Sequence, residues 1–224
     1  MPHPVNGYVL NGARVPSVTT IIGRFGDKEG LMRWAWKCGT ENKDYRTEGK
    51  NAARAGSAAH DAIESSILGR VPDWDKLAID HKLGAEQTAW AQTAHDAFTA
   101  WRKEACPLID EMEIKYICEQ YQYGGTPDAI GKLRGNFDMI DWKTSKSLNA
   151  DYILQGAAYV NMWEEHHDRR LDGLTIVRFD KFTGKSEEKR FTRDDLDSYF
   201  DLFLELRQAY DTMTKLGVLK YKKL

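Results

Sequence analysis

The sequence predicts an α/β (α+β) fold in which helices and strands build one domain. Apolar residues recur at helical spacing in two long segments before residue 106. After Pro107, short β-rich segments alternate with Gly-containing turns. The 224 residues fit one domain, since cores usually divide only beyond about 250 residues. We therefore predict a single domain over residues 1–224, with a helical elaboration at about 70–108 and a C-terminal helix at about 192–217.

The first predicted elements are a small hairpin and three helices. Asn11-Gly12 separates two short apolar runs and supplies the positive φ angles that a tight hairpin turn requires. Ser17 can accept hydrogen bonds from the free N–H groups of a helix that begins at the next residue. Helices are also predicted over residues 51–68 and 85–105, and we interpret the aromatic stripe of the second as core.

The later elements are strands, a helix, a hairpin and a last helix. Three consecutive strands are predicted over residues 112–118, 121–133 and 137–143, followed by a helix over 149–167. A hairpin of residues 174–180 and 185–191 turns around Thr183-Gly184. Thr192 is predicted to cap the last helix. The apolar residues predicted on the buried side of that helix are Leu196, Tyr199, Phe200, Phe203, Leu204, Leu206 and Tyr210.

Composition excludes several classes of protein. Lys plus Arg total 32 against 34 Asp plus Glu, a net charge of −2, so the chain is not a basic nucleic-acid coat and any DNA contact must be local. The Lys-rich tail, Lys215 and residues 220–223, is predicted to be a solvated terminus, with DNA contact as the alternative. Three cysteines favour neither a disulfide framework nor an iron–sulfur cluster, which needs four thiolates. Without a long apolar run or a signal-like N-terminus, we expect a cytoplasmic protein with no membrane partner.

The segment with the most chemical content is Gly124-Gly125-Thr126-Pro127-Asp128, followed by Asp141-Trp142-Lys143. Alternation along a strand places Asp141 and Lys143 on one face and Trp142 on the other. Asp128 belongs to the preceding strand, so pairing of the two strands can bring two carboxylates around one hard cation. Asp138 lies three residues before Asp141 and is predicted to face the opposite way, so it is left out of the site.

Three more residues extend this set. Gln155 and Tyr159 lie four apart on one helix face, and His60 lies on an Ala-rich helix. Each has an ordinary structural interpretation: a core histidine, a buried tyrosine, a turn cap at Asp128 or a surface pair of Asp141 with Lys143. Their order along the chain is the informative feature.

That order resembles RecB-type and phage-type exonucleases of the PD-(D/E)XK nuclease superfamily. Gly-x-x-x-His, Gly-Thr-x-Asp, Asp-x-Lys and Gln-x-x-x-Tyr occur in family order, and the resemblance covers roughly residues 8–165. The segment of residues 16–20, Pro-Ser-Val-Thr-Thr, is similar to the opening of the mitochondrial genome maintenance exonuclease group. The resemblance implies a restriction-endonuclease-like PD-(D/E)XK core, with a central mixed β-sheet flanked by helices, an N-terminal hairpin and helical additions.

The resemblance also implies roles for individual residues. It makes His60, Asp128 and Asp141 ligands of Mg²⁺ or Mn²⁺, with the backbone carbonyl of Trp142 as a further ligand. Asp128, Asp141 and Lys143 would be catalytic, and Lys143 would orient or deprotonate the attacking water. The residues implied to support the site or to bind DNA are Gln155, Tyr159 and Glu113, and Glu64 would reach the metal through water.

The function implied is a metal-dependent DNA exonuclease of phage or prophage origin, working in recombination, repair or genome processing. The expected partners are DNA that is single-stranded or has free ends and, beyond DNA, a recombinase or single-strand-binding protein. An endonuclease that cuts flaps, junctions or single strands is the alternative within the same class. An inert DNA-binding partner of a recombinase or helicase is the alternative from another class. Cleavage polarity and oligomeric state stay open.

Overall fold

The computed structural model describes residues 7–26 and 28–219. The strands are β1 (Tyr8–Leu10), β2 (Ala13–Val15), β3 (Leu108–Met112), β4 (Tyr116–Cys118), β5 (Tyr123–Gly125), β6 (Ala129–Leu133), β7 (Asn136–Lys143), β8 (Gly173–Phe179) and β9 (Ser186–Thr192). The helices are α1 (Val18–Phe25), α2 (Glu29–Thr40), α3 (Tyr45–Ile67), α4 (Trp74–Asp80), α5 (Ala85–Ala105), α6 (Ala150–Glu165) and α7 (Asp197–Lys215). A short 3-10 turn, Asp194–Leu196, precedes α7.

The central sheet has five strands in the order β3-β6-β7-β8-β9. β7 and β8 are parallel, and the other neighbouring pairs are antiparallel. Parallel neighbours need a crossover connection, and α6 supplies it between β7 and β8. The predicted fold class is therefore confirmed: a mixed sheet lies between helices. Two smaller pairs, β1 with β2 and β4 with β5, lie outside this sheet.

Helices cover both faces of the sheet. On one face, α1, α6 and α7 pack against alternate strand residues such as Met139 and Ile176. On the other face, α3 and α5 pack against the intervening residues Ile140, Trp142 and Val177. Alternate residues of β7 therefore contribute to two separate cores, one on each face of the sheet.

Several local predictions are confirmed. Asn11 and Gly12 have φ of 49° and 81° in the β1–β2 turn, as a tight hairpin requires. The Ser17 side chain caps α1 by accepting a hydrogen bond from Thr20 N at 3.1 Å. All of the apolar residues predicted on the buried side of the last helix lie in the apolar cluster on the α6 face. Thr192 and Asp195 cap each other's backbone N–H groups, which orders the 3-10 turn before α7 instead of α7 itself.

The prediction of three uninterrupted strands between residues 112 and 143 was wrong. The segment predicted as the first strand, residues 112–118, is interrupted. β3 ends at Met112, because Glu113 adopts a left-handed backbone with φ of +54°, and β4 then pairs with β5 in a separate sheet. The second predicted strand divides into β5 and β6 around Thr126-Pro127. Backbone reversals at non-Gly residues have weak sequence signals, so the break at Glu113 was not predicted.

Helix boundaries also differ from the prediction. α3 begins at Tyr45, two turns earlier than predicted, because Asp44 caps it by accepting from Arg46 N and Thr47 N. α2 was not predicted, and the predicted helical elaboration contains α4 and α5. Lys220–Lys223 lie outside the described residues. Within the described ranges, no helix is both long and apolar enough to cross a membrane, and Cys38, Cys106 and Cys118 are free thiols.

Candidate metal centre and active site

The predicted site residues meet in one cavity of about 910 Å³ beside the end of β7. Its walls come from α3, the turn before β6, the end of β7 and the first half of α6. The predicted residues that line it are His60, Glu113, Asp128, Asp141, Lys143, Gln155 and Tyr159. The fold therefore gathers side chains that are far apart in the sequence.

Asp128 lies just before β6, where the sheet register places it next to β7. Ala129 pairs with Ile140, so the preceding Asp128 lies level with the Asp141–Trp142 peptide. Asp128 Oδ2 accepts a hydrogen bond from Trp142 N at 2.7 Å. This bond orients the carboxylate and leaves Oδ1 directed towards α3.

His60, Glu113 and Asp128 form a compact group with ligand chemistry. One ligand atom from each lies within 4.8 Å of the others. His60 Nδ1 is 3.5 Å from Asp128 Oδ1, and both atoms are buried with no hydrogen-bond partner among the described residues. Glu113 reaches the group because its left-handed backbone turns the chain, and its N–H donates to Asp128 O at 3.2 Å.

Asp141 and Lys143 extend from the same face of β7 and form a buried ion pair. Lys143 Nζ lies 2.6 Å from Asp141 Oδ2 and donates to Gln155 Oε1 at 2.9 Å. Gln155 Nε2 donates in turn to the hydroxyl of Tyr159 at 3.0 Å. Lys143 Nζ also lies 4.8 Å from the centre of the Tyr152 ring. The ammonium group is therefore held from three sides.

Burial and the charges of neighbouring carboxylates make it unfavourable for several carboxylates in the cavity to be ionised together. Burial, together with the nearby charges of Asp128 and Glu64, raises the pKa of Glu113 to about 8. Burial raises the pKa of Asp141 to about 6, although the ammonium of Lys143 opposes the shift. A divalent cation would remove much of this cost, because it favours the ionised form of every carboxylate around it.

Two other groups keep their charged forms. Burial opposes ionisation of Asp128, but His60, Lys143 and the Trp142 N–H outweigh it, so the pKa of Asp128 lies below its usual value. Burial also opposes the charge on Lys143, but Asp141 and Asp128 raise the pKa of its ammonium above the usual value. These carboxylates therefore favour the protonated form of Lys143.

The residues present fit a hard divalent cation. One imidazole nitrogen and two carboxylate oxygens converge, and two of these atoms have no other polar partner within residues 7–26 and 28–219. Oxygen-rich donor sets with one imidazole suit Mg²⁺ and Mn²⁺. The sequence had assigned Glu113 a supporting role, but the structure places it with His60 and Asp128, whereas Asp141 is paired with Lys143.

Three glycines make room for the site. A Cβ on Gly56 would lie 2.9 Å from Thr144 Oγ1, so glycine lets α3 approach the end of β7. A Cβ on Gly125 would lie 2.3 Å from Tyr159 Cε1, and one on Gly124 would lie 2.2 Å from Tyr8 Cγ. The glycines of the Gly-x-x-x-His and Gly-Gly-Thr-x-Asp segments therefore have steric reasons to be glycine.

Sequence reasoning missed several residues that line the cavity. Tyr8, whose hydroxyl lies 2.9 Å from Thr126 Oγ1, enters from the N-terminal hairpin, and Tyr152 enters from the first turn of α6. Lys181 enters from the segment after β8. Tyr152 lies three residues before Gln155, so helical periodicity could have placed it there. Nothing in the sequence pattern marked Tyr8 or Lys181.

Asp138 lies away from the site, as alternation along β7 predicted. It is fully buried on the α3–α5 face and accepts hydrogen bonds from Thr175 Oγ1 at 2.8 Å and Arg190 Nε at 2.7 Å. Its carboxylate therefore ties together β7, β8 and β9.

Comparison with known proteins concerns the fold. No protein-family profile matches the chain, and no curated protein matches it. Among solved structures, the chain is similar to a candidate exonuclease from Eubacterium rectale, with a TM-score of 0.52 and 12% identity. That match covers 74% of this chain and 69% of the other. The chain has an exonuclease-like fold. LHK-Exo in complex with dAMP is also similar, with a TM-score of 0.39 and 14% identity, covering 77% of this chain and all of that one (100%).

Proposed function

We propose that this chain is a Mg²⁺- or Mn²⁺-dependent DNA exonuclease of the RecB and phage type, in the PD-(D/E)XK superfamily. The observation that carries the proposal is the convergence of His60, Glu113 and Asp128 beside the Asp141–Lys143 pair in one cavity. The fold likeness to a candidate exonuclease and the family order of the motifs support the same assignment. Residues 1–224 would form one nuclease domain, acting in the cytoplasm in phage or prophage recombination, repair or genome processing.

The metal would be held by His60, Glu113 and Asp128, with Asp141 and the Trp142 carbonyl completing the set. When bound, a divalent cation lowers the pKa of a coordinated water and neutralises charge on a phosphate oxygen. The protein contributes a second effect, which is to hold a ligand oxygen in position. Because Trp142 N fixes Asp128 Oδ2, the other carboxylate oxygen keeps its direction towards the ligand group without rearrangement.

Lys143 would bind and orient the reacting phosphate. Asp141 and Asp128 raise the pKa of its ammonium, which favours a role as positive charge and hydrogen-bond donor. Gln155 holds the ammonium from the α6 side, and Tyr159 holds Gln155. A cation in a fixed position stabilises the charge that grows on the phosphate in the transition state. We therefore propose that Lys143 holds the phosphate, a role that differs from the orientation or deprotonation of the attacking water that the resemblance implies.

The direct test removes one group at a time and follows DNA degradation. Asp141→Asn and Lys143→Met should each lower the rate of digestion of end-labelled DNA by about 10²- to 10³-fold in Mg²⁺ or Mn²⁺. Asp110→Asn and Lys132→Met change the same charges at exposed positions on β3 and β6 and should leave the rate unchanged. Normal digestion by either site variant would rule out the mechanism.

Two further measurements separate the alternatives. Labelling each DNA end separately reports direction, and circular single-stranded DNA must survive if the enzyme needs an end. Degradation of the circle would favour the endonuclease instead. Titration calorimetry with Mn²⁺ should show binding that His60→Ala weakens, and a wild-type protein that binds DNA but no Mn²⁺ would be the inert DNA-binding partner.

A further inference from the structure

Lys181 places a buried ammonium group on the wall of the cavity. It follows β8 and is only 8% exposed. Its Nζ donates to the backbone carbonyl of Ala52 in α3 at 3.0 Å. Among residues 7–26 and 28–219, no carboxylate lies within ion-pair distance of this Nζ. A buried charge held by a single neutral acceptor is costly, so a ligand that carries negative charge would stabilise it.

The adjacent carboxylate is engaged elsewhere. Asp180 Oδ1 accepts hydrogen bonds from Phe182 N at 2.9 Å and Thr183 N at 3.2 Å. Its Oδ2 lies 3.3 Å from Arg178 Nη1. Asp180 therefore orders the turn after β8 and makes no ion pair with Lys181.

A second cation lies close to Lys181. Nζ of Lys146 lies 4.9 Å from the centre of the Phe182 ring, and Nζ of Lys181 lies 5.6 Å from the same centre. Burial and then the charge of Lys146 lower the pKa of Lys181, although Asp180 opposes this. Lys146 has no carboxylate within ion-pair distance in the described part of the chain. Two ammonium groups around one ring, neither ion-paired with a described carboxylate, favour the approach of an anion.

Lys181 lines the same cavity as the metal group, and Lys146 directly follows the lining residue Ser145. Lys181, Thr144 and Ser145 line it together with His60 and Lys143. A DNA strand that offers one phosphate to Lys143 would carry its neighbouring phosphates along the cavity wall. DNA carries a phosphate at every nucleotide, so a backbone phosphate is the anion expected beside Lys181. Lysine binds a phosphate as a point charge.

We propose that Lys181, assisted by Lys146, binds a DNA backbone phosphate next to the scissile one and so positions the strand across the metal centre. The subsite rests on the proposed nuclease function and adds a strand-positioning contact to it. Lys181 is a binding residue in this scheme, and the reacting phosphate contacts Lys143.

The first test measures binding and its salt dependence. Wild type, Lys181→Met and Lys146→Met are titrated with a fluorescein-labelled single-stranded oligonucleotide in Ca²⁺ at several salt concentrations. Lys181→Met should weaken binding about tenfold and reduce the slope of log K against log salt by about 1. Lys146→Met should act in the same direction. Lys132→Met, which removes an equal charge from an exposed position on β6, should bind like wild type.

The second test locates the phosphate. Oligonucleotides that carry a neutral methylphosphonate at one position each are compared between wild type and Lys181→Met. One position next to the scissile phosphate should weaken wild-type binding about tenfold and should add no further loss in the variant. In Mn²⁺, the loss of single-turnover rate in Lys181→Met should be largest at limiting DNA and should shrink as DNA approaches saturation, because the contact acts on binding.

The outcomes distinguish the two proposals. A wild type that cuts DNA, with Lys181→Met and Lys146→Met equal to it in affinity and salt slope, overturns the subsite and leaves the nuclease function intact. A wild type that neither binds nor cuts DNA overturns the nuclease function and the subsite with it. If Lys181→Met does not fold, the test uses Lys146→Met, which changes an exposed residue, and the methylphosphonate series with wild type. The subsite is overturned if Lys146→Met binds DNA like wild type and no methylphosphonate position changes the affinity. An effect confined to a 5′-terminal phosphate also overturns it, because the site would then bind strand ends.

Discussion

Replacing Arg190 with methionine should destabilise the protein through a single buried carboxylate. Asp138 is 0% exposed and depends on Arg190 Nε at 2.7 Å and Nη2 at 3.0 Å, with Thr175 Oγ1 at 2.8 Å as its other side-chain donor. Removing one partner of a buried ion pair costs about 3–5 kcal/mol, because the other charge is left without compensation. The Arg190 side chain is 30% exposed, so water replaces part of what is lost. We therefore expect Arg190→Met to lower the free energy of unfolding by about 2–3 kcal/mol.

Urea unfolding followed by fluorescence of the seven tryptophans measures this loss by linear extrapolation. For a chain of this size, the same change should lower Tm by about 4–12 °C. Adding Asp138→Asn to Arg190→Met should recover at least half of the loss, because an amide leaves no buried charge. Lys189→Met, an exposed change of equal charge on β9, should stay within about 0.5 kcal/mol of wild type. A loss below about 1 kcal/mol for Arg190→Met, or no recovery in the double variant, would refute the reasoning.

Three further predictions concern the site and its supports. Gly125→Ala should lower the rate of DNA digestion at least about tenfold while Mn²⁺ binding persists, because its Cβ would lie 2.3 Å from Tyr159 Cε1; a full rate would contradict this. With EDTA, stability should fall as pH rises from about 4 to 8 through the raised pKa values of Asp141 (about 6) and Glu113 (about 8), since the folded state binds more protons there than the unfolded state. The rise in Tm on adding Mn²⁺ should accordingly be larger at pH 8 than at pH 6, and an equal rise would count against metal binding at these carboxylates. Ser17→Ala should cost about 1 kcal/mol in urea unfolding through loss of the α1 cap, and no change would show that the cap is dispensable.

Local order was predictable wherever short-range chemistry determines it. The Asn11-Gly12 turn follows from φ preferences, the α5 stripe from helical spacing, and the opposite facing of Asp141 and Trp142 on β7 from the period of two. The candidate site was predictable as a set of residues, because the order of the motifs can be read from the sequence without knowing any distance between them. Its geometry was not predictable. Glu113 joins the ligand group through a left-handed backbone conformation that a glutamate residue does not predict.

By itself, then, the sequence determined the fold class, the main helices, the hairpins and the side chains that are candidates for the site. Only the tertiary structure decided that Glu113 lies within ligand distance of His60 and Asp128, that Asp141 pairs with Lys143, and that Lys181 lines the same cavity. The reason is physical. Periodicity and turn chemistry act between neighbours in the chain, whereas pKa shifts, unpaired buried charges and metal-ligand spacing depend on atoms that folding brings together across the whole sequence.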